Sequence, residues 1–223
     1  MKNRKDELVA NLEEVRGRIS EAASRAGRSP DEITLIAVSK TMPVADILAL
    51  WEVGQRDFGE NYVQEWRDKV DELPDSIRWH YIGGLQSNKA KYLANRVTLI
   101  HSIDSKSAVK ELIKRSEVAP EILVQVNTGN DEAKGGIEPD AALEFVTQAS
   151  EIGARVRGFM TIPPFDREAI PYFREMKGLF DSARKEMPEL DILSMGMTSD
   201  FETAIELGAT HIRVGTAIFG KRG

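Results

Sequence analysis

Apolar residues in this chain fall into two patterns that take turns. The first is a helical stripe. Leu8, Leu12, Val15 and Ile19 recur at spacings of three and four, opposite a charged face, and predict a helix over 6–26. Gly27 follows as a C-cap and Pro30 comes shortly after. The second pattern is a short apolar, β-branched run of the kind that forms a strand buried on both faces. Such runs occupy 33–38, 77–82, 97–102, 121–127, 156–162, 190–195 and 210–215, and the short, more polar segment 57–61 takes the place of the second strand. Helical segments are predicted between them. The first opens at Pro43, as an N1 proline, and ends at Gly54; the others cover about 62–73, 87–95, 105–115, 139–152, 167–187 and 200–207.

Eight strands alternating with helices give a parallel sheet with helices outside, and eight such units suggest closure. The expected fold is α/β, a (β/α)8 TIM-type barrel with an additional N-terminal helix. It forms a single domain over 1–223, with 1–27 packing on the barrel and covering one end of it. A doubly wound open sheet is the alternative, but its phosphate loop would follow the first strand. The turn there, Ser39-Lys40-Thr41-Met42, contains no glycine.

Composition narrows the function classes. The 223 residues are 41% hydrophobic and 30% charged, an ordinary globular balance. A formal net charge of -6 argues against a nucleic-acid partner, which needs a basic face. The absence of cysteine removes disulfides and thiolate metal sites. The N-terminus turns acidic where a signal peptide would turn apolar, and no apolar stretch approaches membrane-spanning length. A cytoplasmic protein without a membrane partner is expected. No His and carboxylate set has useful metal-ligand spacing.

Functional groups of a barrel lie at the C-terminal ends of its strands. Lys40 ends the first apolar run, either as a lysine reaching water or as a desolvated amine able to attack a carbonyl. Asn61 follows strand two, and Met160 lies in strand six. Strand seven runs into Gly196 and Thr198, and strand eight into Arg213, Gly215 and Thr216. Gly-Thr turns before helices offer a phosphate close backbone approach, hydroxyls and N–H donors, although helix capping by Ser199 or Thr216 accounts for one such turn equally well. Two of them on the last two strands, beside Lys40 on the first, suit pyridoxal 5′-phosphate. Its aldehyde forms a Schiff base with lysine and its phosphate needs an anion cradle. Arg213 would then lie near the pyridine nitrogen. A guanidinium only donates hydrogen bonds, so it favours an unprotonated ring and a weaker electron sink.

Ala37-Val38-Ser39-Lys40-Thr41, Phe58-Gly59-Glu60-Asn61-Tyr62-Val63-Gln64-Glu65, Trp79-His80-Tyr81-Ile82-Gly83, Leu85-Gln86-Ser87-Asn88-Lys89, Ser194-Met195-Gly196-Met197 and Arg213-Val214-Gly215-Thr216-Ala217-Ile218-Phe219-Gly220 together resemble the pyridoxal phosphate homeostasis protein family. The resemblance spans nearly the whole chain. It implies a barrel similar to the N-terminal domain of alanine racemase, the cofactor held on Lys40, and a role in vitamin B6 and amino-acid pools with no established turnover. Recipient apo enzymes that depend on pyridoxal phosphate are its implied partners. Gly84 stands where the family usually has proline, Thr198 where serine is common, and Gly135 in a loop that usually reads Lys-X-Gly.

Other residues have plainer readings. Lys89 reads as a helix-surface residue and Lys134 as a loop residue. Asn61 either orients the cofactor's ring oxygen or caps the next helix. Met160 either packs on the cofactor or is core. His80, His101 and His211 read as structural. The reading is a non-catalytic pyridoxal phosphate carrier, and it has two alternatives. A racemase-like enzyme would need a tyrosine from a further C-terminal domain, which the chain, ending at Gly223, is expected to lack. A Schiff-base aldolase would explain Lys40 and the phosphate turns but not Arg213.

Overall fold

The computed structural model describes residues 3–129 and 135–221. In it the eight apolar runs form strands β1 Thr34–Val38, β2 Asp57–Glu60, β3 Arg78–Tyr81, β4 Leu99–Ile103, β5 Glu121–Gln125, β6 Arg155–Met160, β7 Ile192–Ser194 and β8 His211–Val214. They pair in parallel, in sequence order, and β8 returns to β1 through Leu35↔Ile212 and Ala37↔Val214. The sheet is therefore a closed barrel with no edge strand to protect.

Period-two alternation explains the apolar runs. Leu35, Phe58, Tyr81, Val124, Phe159, Leu193 and Ile212 belong to the main apolar cluster, which also takes in the buried faces of the helices. The opposite parity fills the interior. Leu99, Leu123, Met160 and Ile192 make a separate buried cluster there, and polar members of the same strands complete it.

Helices α2 Val44–Glu52, α3 Val63–Val70, α4 Ala90–Leu93, α5 Lys106–Ile113, α6 Ala142–Ile152, α7 Ile170–Glu186 and α8 Phe201–Glu206 follow the first seven strands. Most elements begin or end within a few residues of expectation. Pro43 precedes its helix as the cap rather than opening it. Residues 87–93 form a 3-10 turn followed by a four-residue helix. After β8 comes a short helix, α9 Thr216–Phe219, just beyond the expected run 210–215.

The N-terminal helix α1, Arg4–Arg25, corrects one expectation. It packs against α2, α8 and α9 on the side of the barrel and does not cover an end. With only four residues, α9 is too short to cover the outer face of β8, and α1 fills that place in the ring. Leu8, Leu12, Val15 and Ile19 are all buried there, each worth about 1.5–3 kcal/mol in apolar transfer. Arg4 pairs with Asp46 at 2.7 Å and donates to the Phe219 carbonyl at 2.8 Å. Among the described residues, no helix is long and apolar enough to cross a membrane.

Candidate functional site

A cavity of about 420 Å³ opens at the C-terminal mouth of the barrel. Lys40, Asn61, Thr198, Arg213, Gly215 and Thr216 line it. Val38, Ile82, Ile162, Phe165, Met197 and Ser199 supply the rest of its wall.

Lys40 stands in a tight turn closed by the Met42 N–H donating to the Ser39 carbonyl. Thr41, beside it, has φ 65, a left-handed conformation that a β-branched residue adopts only under constraint. The constraint is a buried charge cluster. Lys69 on α3 reaches Glu60 at 2.6 Å and Glu65 at 2.9 Å, and donates to the Ser39 carbonyl at 3.1 Å. The Ser39 hydroxyl donates to Glu60 at 2.5 Å, and the Thr41 N–H donates to Glu65 at 2.5 Å. Both neighbours of Lys40 are thus tied to α3. Burial pushes the Glu60 carboxyl above its usual range, with Lys69 and Ser39 opposing.

Asn61 leaves β2 toward the cavity. This needs Gly83 on the adjoining strand end, because a Cβ there would stand 2.0 Å from the Asn61 carbonyl. The Asn61 Oδ1 is buried and has no hydrogen-bond partner, an expensive state that a ligand donor would relieve. An amide's oxygen and nitrogen can exchange places, so the orphaned buried position belongs to one or the other of the two.

Arg213 is held inside the barrel. It donates from Nη1 to Ser194 Oγ at 2.6 Å and from Nη2 to the Thr161 carbonyl at 2.9 Å. Burial lowers its pKa to about 10, with Asp200 opposing, so it is a cation at neutral pH. The turns after β7 and β8 meet beside it. The Thr198 hydroxyl accepts from the Ala217 N–H at 3.4 Å, and Asp200 accepts from the Met197 N–H at 2.7 Å. Thr216 begins α9, where the Ile218 and Phe219 N–H groups donate to the Gly215 carbonyl at 3.0 and 2.9 Å.

Two expected site residues lie elsewhere. Met160 is fully buried with Leu99, Leu123 and Ile192, and Ile162 packs on that cluster and lines the cavity. Gly196, at φ 94, faces α8, where a Cβ would come within 2.6 Å of Ala204 Cβ. Its carbonyl accepts from the Arg213 N–H at 3.0 Å, so it joins the two phosphate-type turns without forming the wall. Lys89 ends a 3-10 turn away from the cavity. Lys134 lies outside the described residues. Among the described residues no group of three His, Cys, Asp or Glu could hold a metal.

Sequence reasoning gave no role to Glu60, Glu65, Lys69, Ser194, Ile82 or Ile162. The i, i+4 spacing of Glu65 and Lys69 on a helix beside the Lys40 turn was one available signal. Strand parity was another, since Ile82 and Ile162 keep the inward phase of His80 and Met160.

Comparison with known proteins agrees with this geometry. Residues 10–223 match the family described as "Alanine racemase, N-terminal domain". The chain is 42% identical over 220 residues to the pyridoxal phosphate homeostasis protein of Aquifex aeolicus, covering 95% of this chain and 96% of that protein. It is 40% identical over 228 residues to the protein of the same name from Escherichia coli K12, with 97% of each covered. Among solved structures, PipY of Synechococcus elongatus with PLP bound is 36% identical with a TM-score of 0.77, over 91% of this chain and all of that one. The chain belongs to the pyridoxal phosphate homeostasis protein family, on the barrel of the alanine racemase N-terminal domain.

Proposed function

We propose that this chain binds pyridoxal 5′-phosphate in the C-terminal cavity, with Lys40 as the covalent anchor. It holds and supplies the cofactor within the cell without catalytic turnover, and apo enzymes that need the cofactor are the recipients. The observation that carries the reading is that one 420 Å³ cavity is lined by a lysine, a buried guanidinium, an orphaned amide and two hydroxyl-bearing turns. When bound, the group supplies an aldehyde that condenses with a primary amine, releasing water, and a phosphate that needs N–H and hydroxyl donors.

The residues fit those demands. Lys40 presents the amine from a turn fixed on both sides. Thr198, Ser199, Gly215 and Thr216 offer hydroxyls and backbone N–H groups to the phosphate. Arg213, cationic and able only to donate, faces the ring nitrogen and keeps it unprotonated. The Asn61 amide takes the ring oxygen. Apart from Lys40 and Arg213, no titratable side chain among the described residues lines the cavity, which suits holding better than acid–base chemistry on a substrate carbon.

The test is reduction with borohydride after incubation with pyridoxal phosphate, followed by mapping of the modified lysine. A yellow protein labelled at Lys40 is expected. A protein that stays colourless and unlabelled would overturn the reading. Lys40→Ala is expected to lose the label and keep reversible, phosphate-anchored binding. Steady turnover of amino acids by the wild type, absent from that variant, would replace the carrier with an enzyme.

A further inference from the structure

All three histidines of the chain lie together inside the barrel, with ring centroids 5.2, 6.1 and 6.2 Å apart. Two of them belong to an unbroken hydrogen-bonded line from one mouth to the other. At the N-terminal mouth Arg78 donates from Nε and Nη2 to the Asp57 carboxylate, at 2.8 and 2.5 Å. Asp57 Oδ1 is 3.0 Å from His80 Nε2, and His80 Nδ1 is 3.0 Å from His101 Nε2. His101 Nδ1 is 2.9 Å from Ser194 Oγ, which accepts from Arg213 at 2.6 Å. His80, His101, Ser194 and Arg213 are all buried.

We propose that Asp57 is a positioning residue for Arg213, acting across the barrel through a one-directional relay of His80, His101 and Ser194. The proposal rests on the reading of Arg213 as the group that faces the cofactor ring.

Each direction in the relay follows from the one below it. A carboxylate only accepts, so His80 carries a proton on Nε2. A neutral His80 then has a lone pair on Nδ1, and His101 must donate to it from Nε2. That leaves the His101 Nδ1 lone pair for the Ser194 hydroxyl proton, while Ser194 Oγ accepts from Arg213. The alternative is a charged His80 that donates to His101 and turns the upper half of the line around. Ser194 would then receive two donors, and its own proton would have no acceptor among the described residues. Burial also holds His101 well below the usual histidine range, with repulsion from the Arg213 cation adding to it. Asp57 is held at about 2 by Arg78 and His80, against the opposing effect of its burial, so the anchor stays charged at neutral pH. Hydrogen bonds in such a line polarise one another, so a charge at one end strengthens the acceptor at the other.

The test uses the free protein first. Long-range 1H–15N spectra of the histidine rings identify the protonated nitrogen, and both His80 and His101 are expected to carry the proton on Nε2. A His101 proton on Nδ1 would overturn the proposal. Asp57→Asn keeps an acceptor but removes the charge, and the exposed Arg78 tolerates the loss. In that variant rotation of the Arg213 guanidinium, read from its N–H exchange, is expected to become about tenfold faster, the rate equivalent of one weakened hydrogen bond. An unchanged rate would overturn the proposal. If Asp57→Asn does not fold, Ser194→Ala decides it from the other end. His101 should keep its Nε2 proton there, because the tautomer is set from Asp57, and a switch to Nδ1 would refute the direction.

The visible absorbance of protein loaded with pyridoxal phosphate then reads the coupling to the ring. Its maximum should shift in Asp57→Asn at unchanged fold, and a constant maximum would mean that the relay stops short of the cofactor. A wild type that takes up no cofactor would fail the functional reading alone, since the free-protein spectra still judge the relay.

Discussion

The two mouths of the barrel are formed by opposite ends of the same eight strands, yet their polar groups are treated differently. The N-terminal opening is the larger, about 580 Å³ against 420 Å³. Its charges are matched internally. Arg78 pairs with Asp57, and Arg157 bridges Glu121 and Asp191 at 2.7 and 2.5 Å. Arg28 donates to the Ile205 and Ala209 carbonyls. At the C-terminal mouth Asn61 has a buried amide oxygen without a partner, Thr41 is in a left-handed conformation, and Phe165 is 95% exposed at the rim. Room alone therefore does not identify a binding site in this molecule. At this mouth unmet polar demand sits on the cavity wall itself and local strain beside Lys40 in that wall, and a folded chain retains them only where something else over-determines the structure.

The contrast can be broken most forcefully at the C-terminal end. Lys69→Met strands Glu60 without its cation, and a one-sided loss of a buried pair costs about 3–5 kcal/mol. Chemical denaturation measures this. Because burial raises the Glu60 carboxyl, the folded state of the variant binds that proton more tightly than the unfolded chain does. The variant should therefore be relatively more stable in mild acid and lose stability as pH rises. Borohydride labelling at Lys40 should fall as well, since the turn is no longer fixed.

Acid tests the interior between the mouths. Burial holds His101 well below its ordinary 6.5 and brings His211 down to about 3. Both have depressed folded-state pKa values, so the unfolded chain takes up protons first. Stability present above 6.5 should be lost as pH falls toward 3, with Asp57 adding to the loss below its ordinary 3.8. Melting curves between about pH 7 and pH 4 should show several degrees of decline, and His101→Gln should flatten the curve. A flat wild-type curve would contradict the neutral histidine cluster.

Arg78→Met probes the N-terminal mouth, where the arginine side chain is 54% exposed. Solvent screening limits the stability cost to about 1 kcal/mol or less by denaturation. A loss as large as that of Lys69→Met would erase the distinction between the two ends. The smallest effect belongs to Gly84→Ala. A Cβ there meets nothing within 4 Å, so a change within about 0.5 kcal/mol is expected.

The sequence was most legible where one residue type has one geometric meaning. Strand-end position and turn chemistry brought Lys40, Asn61, Thr198, Arg213, Gly215 and Thr216 to one cavity. Met160 and Gly196 did not join it, the first because of its depth in the barrel and the second because glycine has another use there. Met160 points inward but a layer lower, and Gly196 clears space for α8 and not for a ligand. The histidine line was hidden for another reason. It joins residues up to 93 positions apart, and only barrel closure brings His101 to Ser194. Each histidine read alone is structural, and the relation among them exists only in three dimensions. The place of α1 was missed because its stripe shows that it is buried but not against what, and the shortness of α9 settled that.

That same helix bears on how the molecule is made. Arg4 and Asn11 bond to the carbonyls of Phe219 and Ile218, contacts spanning 215 and 207 residues. On a ribosome α1 emerges before its last partners, which follow on the order of ten seconds later. Through that interval its apolar stripe has no finished surface to cover. The β8–β1 seam and the α1 clasp must then form together, as a late and non-local event. Nascent chains should depend most on chaperones between emergence of the first helix and release of the last strand.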